Sequence, residues 1–265
     1  HGAIEFYCQA RAKGLKPILG CQVYLHHSGL WSLVLLCRNE AGYRNLCRLI
    51  TRAHTESRGT VPYLEAGWIK QNCSGLTALS PARQGQIPVL LGQGHKDEAG
   101  KALQFYQELF GDDFYLEIQR YPASVRAAGI SETLVNFARQ QKANMVATND
   151  VHYLKQQHWP DYQAVYKLKS MAGKIDPCLR PVDNDQHYFK SPRQMEELFA
   201  DLPEAISNTR LIANSCQLEL KLGHLDIPRF KVPRSGSQSS YLKALCYAGL
   251  KKRYGRPGPQ LYHRL

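Results

Sequence analysis

Apolar residues follow a helical spacing over residues 4–12 and stop at Gly14, after which residues 16–25 contain a strand. Leu33-Val34-Leu35-Leu36-Cys37 is a continuous apolar run, the pattern of a strand buried on both faces. Asn39 is placed to cap a helix that runs through Leu46, Leu49 and Ile50. A short strand is expected over residues 76–80, and a helix over residues 96–110, with Ala99, Ala102, Leu103, Tyr106 and Phe110 on one face and Gly111 closing it. A strand over residues 114–119 and a helix over residues 131–141 follow. The run Met145-Val146-Ala147-Thr148 is a further strand, and its end carries Asn149-Asp150-Val151-His152.

This alternation of helices with short apolar strands is the pattern of βα units around a sheet, so the fold class is α/β. Beyond Ser191-Pro192 the pattern turns helical, through Met195, Leu198 and Phe199 and then from Pro203 to Leu218. The Pro- and Ser-rich stretch from Pro228 to Ser240 reads as an exposed linker, and residues 241–254 as a basic helix.

Composition narrows the class. The chain has 265 residues, enough for one large core with a small appendage. A hydrophobic fraction of 43% and a charged fraction of 21% suit a water-soluble globular protein, and no apolar run approaches the ~20 residues of a membrane span. No membrane is therefore expected among its partners. Eight cysteines are scattered without a Cys-x-x-Cys pair, which suits reduced thiols in a cytoplasmic protein. The net charge of +12 favours phosphate-bearing partners through counterion release. The first residue is His1 rather than Met, and residues 2–7 already read as amphipathic helix, so the chain is expected to begin in mid-domain.

Asp150 and His152 flank one residue at a strand end, where functional side chains of β/α folds gather. In extended backbone both point to one side and could share a divalent metal. An Asp bonded to loop amides with a His packed beside it accounts for the same pair. A phosphoesterase needs further His and carboxylate ligands, because paired metals must hold a water and polarise a phosphate. His26, His27, His54, His95, His158, His187, His224 and His263 lack ligand spacing and read as solvated or locally hydrogen-bonded. Cys73 and Cys178 each lack a nearby partner for zinc. No Gly-rich phosphate loop appears. Lys251, Lys252 and Arg253, with Arg256, could contact a DNA backbone or form a solvated basic face.

Several segments, in order, resemble the N-terminal PHP domain of bacterial DNA polymerase III alpha subunits, replicative or error-prone. They are residues 2–7 (Gly-Ala-Ile-Glu-Phe-Tyr), 14–21 (Gly-Leu-Lys-Pro-Ile-Leu-Gly-Cys), 39–46 (Asn-Glu-Ala-Gly-Tyr-Arg-Asn-Leu), 114–120 (Phe-Tyr-Leu-Glu-Ile-Gln-Arg), 147–154 (Ala-Thr-Asn-Asp-Val-His-Tyr-Leu) and 250–255 (Leu-Lys-Lys-Arg-Tyr-Gly). The resemblance covers nearly the whole chain and implies a distorted β/α (TIM-like) PHP barrel with a C-terminal helical extension. The implied organisation is a truncated barrel over 1–225, a linker over 226–240 and the start of the polymerase palm over 241–265.

Metal-binding members of that family hold a cluster and remove 3′ nucleotides, and Asp150 with His152 match their metal pattern. The family's first two metal motifs would precede His1. Where such relatives carry Glu after Gly-Cys this chain has Gln22, where they carry His before the second strand it has Ser32, and near their Cys or His after the Ala-Leu-Ser strand it has Ala82. Gln22 is neutral and a far weaker ligand for a divalent cation. The resemblance thus implies an eroded site that takes zinc or manganese weakly at best, and a barrel that supports the polymerase rather than cutting DNA. Magnesium would belong to a palm absent from this chain, and the partners implied for the parent are DNA, a proofreading exonuclease subunit and a sliding clamp. The rival readings are a metal-dependent PHP phosphoesterase or 3′–5′ exonuclease, and a non-catalytic interaction module.

Overall fold

The computed structural model describes residues 2–121, 125–171, 182, 184–223, 230–233 and 236–264, without the side chains of 125–128. Cys178, His224 and parts of the 226–240 stretch lie outside the described residues. The chain divides into two compact units, His1–Leu220 and Lys221–Leu265.

The first unit opens with helix α1 (Ala3–Ala12), whose Tyr7 is its buried anchor. Strands β1 (Gly20–His26) and β2 (Leu30–Cys37) form an antiparallel hairpin. The reversal needs left-handed backbone at Ser28 (φ 53°) and Gly29 (φ 139°), and the second of these is open only to glycine at low cost. Helix α2 (Glu40–Glu56) follows, then β3 (Leu64–Glu65), α3 (Ala66–Asn72), β4 (Leu76–Ser80), α4 (Gln86–Gly92), α5 (Lys96–Phe110), β5 (Phe114–Ile118), α6 (Val125–Gln141) and β6 (Met145–Ala147). Helices α7 (Trp159–Met171), α8 (Pro192–Leu198) and α9 (Pro203–Ser215) complete the unit.

The six strands lie in the order β3-β1-β2-β4-β5-β6. Pairing is parallel between β3 and β1, antiparallel on both sides of β2, and parallel from β4 through β6. All strands except β2 therefore run in one direction, and their C-terminal ends share one edge. This is the α/β class, with helices against the sheet, and among the described residues the sheet is open rather than closed into a complete barrel. Leu25, Leu33, Leu35, Ala78 and Leu116 are fully buried in the main core, and Leu49 of α2 packs with them. Ile212 and Cys216 pack with Leu79 and Val146 in a second apolar cluster, and Asn208 of α9 donates to the Met145 carbonyl at 2.7 Å. No helix among the described residues is long and apolar enough to cross a membrane.

The start and finish of this unit are tied together. The Leu220 amide donates to the Tyr7 hydroxyl at 3.0 Å, Arg11 lies 3.9 Å from Glu219, and the Lys16 ammonium donates to the Ala213 carbonyl.

The Asn39-Glu40-Ala41-Gly42 segment shows why residue type matters locally. The Gly42 amide donates to the Asn39 side chain at 3.0 Å, capping α2. A Cβ on Gly42 would sit 1.9 Å from the Gly75 carbonyl oxygen, and Gly75 itself has φ 75°. That oxygen also accepts from the Arg38 amide at 2.9 Å, so it cannot retreat without losing a bond between β2 and the turn before β4. Gly42→Ala is therefore expected to destabilise the unit by about 3 kcal/mol through overpacking against backbone, read as a lower urea midpoint. Ala41→Gly, one residue away on the exposed face, is expected to cost about 1 kcal/mol from helix propensity alone.

Candidate metal centre

Beyond β6 the chain leaves the C-terminal edge of the sheet still hydrogen-bonded, with the Thr148 amide donating to Ile118 O at 3.0 Å. Asn149 then fixes a distant segment. Its side-chain amide donates to the carbonyls of Gln186 (3.2 Å) and Tyr188 (2.8 Å). The His152 amide donates to His187 O at 2.8 Å, the Phe189 amide to Tyr153 O at 3.0 Å, and Tyr153 and Tyr188 form an isolated parallel bridge. Residues 186–189 are thereby laid along residues 149–153.

The consequence is a cluster. Asp150, His152 and His187 each place a potential ligand atom within 4.8 Å of the others. His152 Nε2 is 3.1 Å from Asp150 Oδ2, and His187 Nδ1 is 3.7 Å from the same oxygen. His187 Nδ1 also lies 3.0 Å from the Asp150 carbonyl, which can only accept, so the proton sits on Nδ1 in this arrangement. Burial lowers the His187 pKa, partly opposed by Asp150, and so favours the neutral imidazole that a metal requires. Tyr121 stacks on His187 with ring centroids 4.7 Å apart, and the Tyr162 hydroxyl is 3.2 Å from His152 Nδ1. His152 Nε2 is buried and, despite its short distance to Asp150, is not aligned to hydrogen-bond with it. A buried nitrogen aimed beside a carboxylate without bonding to it fits a cation between them, and the one-carboxylate, two-imidazole set suits zinc or manganese.

A cleft of about 290 Å³ adjoins this cluster and is lined in part by Gln22, Ala82, Arg83, Glu117 and Asp150. Ser32 joins it indirectly: Gln22 Nε2 donates to Ser32 Oγ at 2.7 Å, and Ser32 is almost wholly buried. The three positions read as lost ligands and the Asp150 end of the cluster thus gather around one cleft. Lys251, Lys252 and Arg253 lie apart in sequence, in the last turn of a helix of the second unit, and are exposed.

Two residues were not legible as site members. His187, expected to be solvated or locally bonded, is fully buried beside Asp150. Its correction comes from the Asn149 bonds, which join residues more than thirty positions apart. Glu117 sits in an apolar strand and is buried at the cleft, accepting from Thr148 Oγ1 at 3.1 Å and Gln119 Nε2 at 3.3 Å. Burial pushes its carboxyl up to about 7, more than its two hydrogen bonds pull it down, and Asp150 adds to the rise. The remaining described histidines behave locally: His26 lies 3.3 Å from Glu65, and His27 stacks on Phe105. No metal-like cluster among the described residues includes a cysteine.

Residues 1–121 match the PHP domain family. The chain is 36% identical to DNA polymerase III subunit alpha of Pseudomonas aeruginosa over 255 residues, covering 94% of this chain and 22% of that protein. The corresponding subunit of Thermus aquaticus is 33% identical over 275 residues (96% of this chain, 22% of that protein), and that of Campylobacter jejuni 34% over 253 (88% and 21%). The chain therefore spans about a fifth of the length of these relatives. The cluster around Asp150 lies beyond the residues that match the PHP family.

The Glu117 carboxyl gives a pH test. Its folded pKa is raised from the ordinary 4.5 to about 7, so the unfolded chain loses that proton first. Between these values the folded state binds more protons, and stability falls as pH rises, reaching its full loss near pH 7 and above. Glu117→Gln is expected to keep both hydrogen bonds and remove this loss. Urea unfolding should show little difference near pH 4.5 and a stabilisation approaching about 3 kcal/mol above pH 7.

Proposed function

We propose, on the premise that the chain carries a PHP domain homologous to part of DNA polymerase III subunit alpha, that this region is a scaffold of a DNA-directed DNA polymerase and not a nuclease. The observation that carries the reading is the Gln22–Ser32 hydrogen bond. At two positions where the family resemblance implies a carboxylate and an imidazole, two neutral groups satisfy each other and offer no charge to a cation. With Ala82 contributing only a methyl group to the same cleft, the β1, β2 and β4 side would offer a cation no charged ligand.

The whole subunit would carry out template-directed nucleotidyl transfer in replication or translesion synthesis, in the cytoplasm, with magnesium in its palm. Its partners would be DNA, a proofreading exonuclease subunit and a sliding clamp. This region would hold their geometry, through the core that fixes β4, β5 and β6.

A second reading, a metal-dependent PHP phosphoesterase or 3′–5′ exonuclease, is favoured by the Asp150, His152 and His187 cluster. Those three residues would hold one divalent ion, which when bound would supply Lewis-acid chemistry and a more acidic water. Around it Asp150 would set the charge, Tyr162 would orient His152, and the Asp150 carbonyl would orient His187. One such ion lacks the second, bridged partner that stabilises both attacking and leaving oxygens of a phosphodiester.

The chain purified without added metal is expected to hold well under one equivalent of zinc or manganese by elemental analysis. On titration it should take up about one ion, and Asp150→Ala or His187→Ala should abolish the uptake. Gln22→Glu combined with Ser32→His should raise affinity by restoring the missing charge and imidazole. Tight stoichiometric metal together with 3′ nucleotide release that Asp150→Ala removes would overturn the scaffold reading in favour of the nuclease.

A further inference from the structure

The cleft beside the metal centre carries a cation of its own. Among the described residues that line it, Glu117 and Asp150 are the acids and Arg83 is the one base. Arg83 directly follows Ala82, so a positive charge enters the cleft next to the position where the family resemblance implies a Cys or His ligand. A guanidinium stays charged across the whole pH range in which proteins fold, and it is tethered to the chain without ligands.

The turn that leaves β4 sets where this charge sits. Ala82 is buried, the Gly85 amide donates to Pro81 O at 2.9 Å, and the Ser32 amide of β2 donates to Gln84 O at 3.2 Å, so the turn is fastened on both sides of Arg83. The guanidinium lies over the ring of Tyr121, with Cζ 5.5 Å from the ring centroid. Tyr121 is buried, and its hydroxyl donates to Gln119 Oε1 at 3.0 Å, so the ring is held as well. The same ring stacks on His187 with centroids 4.7 Å apart. Those two separations keep the guanidinium within about 10 Å of the His187 imidazole, the range over which charges still act on one another in 0.1 M salt. Arg83 is itself exposed, so its field reaches the cluster through a largely aqueous dielectric.

We propose that Arg83 is the resident cation of this cleft, standing in for the charge of a second metal ion, and that it holds down the affinity of the Asp150, His152 and His187 cluster for a divalent ion. This rests on the reading of those three residues as metal ligands: an ion that enters among them is repelled by Arg83. In the empty cleft the same charge lies near Asp150, so that carboxylate persists beside Glu117 without an ion to offset it. Gln22, Ser32 and Ala82 act in the same direction by a different route, since they leave the site short of ligands. The two effects separate because Arg83 can be changed while the three neutral positions stay. A role confined to packing on Tyr121 would depend on the shape of the side chain and not on its charge.

Manganese suits the test, because carboxylate and imidazole bind it and the scattered thiols compete poorly. It is titrated into the full chain and the free ion is read by electron paramagnetic resonance, with circular dichroism to confirm that each variant is folded. Arg83→Met should bind about five-fold more tightly than the wild type at low salt, the effect of one unit charge about 9 Å from a divalent ion in a water-like dielectric. Arg83→Glu should gain about twenty-five-fold and Arg83→Lys should stay within about two-fold of the wild type, and the gains should shrink at high salt. Arg58→Met, which removes an exposed arginine from the loop before β3, should change nothing. Asp150→Ala should abolish uptake in the Arg83→Met background, which ties the gained affinity to the cluster. Arg83→Lys binding as tightly as Arg83→Met would reveal a packing role and sink the proposal. So would Arg83→Met and Arg83→Glu binding no more tightly than the wild type. If the wild type takes up manganese through Asp150 while the Arg83 variants merely match it, the metal centre stands and only this proposal falls. No uptake by any form sinks both.

Discussion

The candidate site depends on one carboxamide. Asn149 spends both amide hydrogens on the carbonyls of Gln186 and Tyr188, and with the backbone bonds around Tyr153 this fastens a remote loop to the end of β6. Neither segment is regular structure, so no helix or sheet ladder would otherwise bring His187 to Asp150. The sheet supplies the platform, because β4, β5 and β6 run in parallel and deliver Pro81 to Gln84, Gln119 and Thr148 to Val151 at the same edge.

Within that edge, charge is placed unevenly. Gln22, Ser32 and Ala82 are neutral, and burial pushes the Glu117 carboxyl up to about 7. Asp150 is then the carboxylate able to hold a cation together with imidazoles, and Arg83 lines the same cleft. With neutral Gln22 and Ala82 on its β1 and β4 side and Arg83 beside Asp150, the cleft carries less negative charge than one lined by carboxylates throughout. That is compatible with a wall that must pack and persist, and it removes the mutual repulsion that a metal cluster would be needed to offset.

Much of the fold was legible because its signals are local. The strands β2, β4, β5 and β6 are short apolar runs, and α2 and α5 show a stripe with a cap or a terminating glycine. The elements that escaped lack such signals. β3 is two residues long, and α4 buries five of its seven residues, Pro88 included, so no polar face marks a period. α6 begins at Val125, earlier than the stripe from residue 131 suggests, and α7 carries little amphipathic pattern. For the site, the Asp150–His152 spacing is a strand-end signal that one extended segment contains. His187 has none, since its place is set by hydrogen bonds across a loop, and Glu117 is visible only as an acid among apolar neighbours. Gln22, Ser32 and Ala82 drew notice only through the PHP resemblance, since no pattern of polarity marks them.

The ties between Tyr7 and Leu220, Arg11 and Glu219, and Lys16 and Ala213 have a consequence for synthesis. At roughly 5–20 residues per second, about 10–40 seconds pass between the emergence of α1 and that of the residues that fasten it. During that interval Tyr7, buried in the finished unit, has no partner from its far end. Helix α1 is thus among the last elements of its unit to be secured, although it precedes every other element of that unit in the sequence.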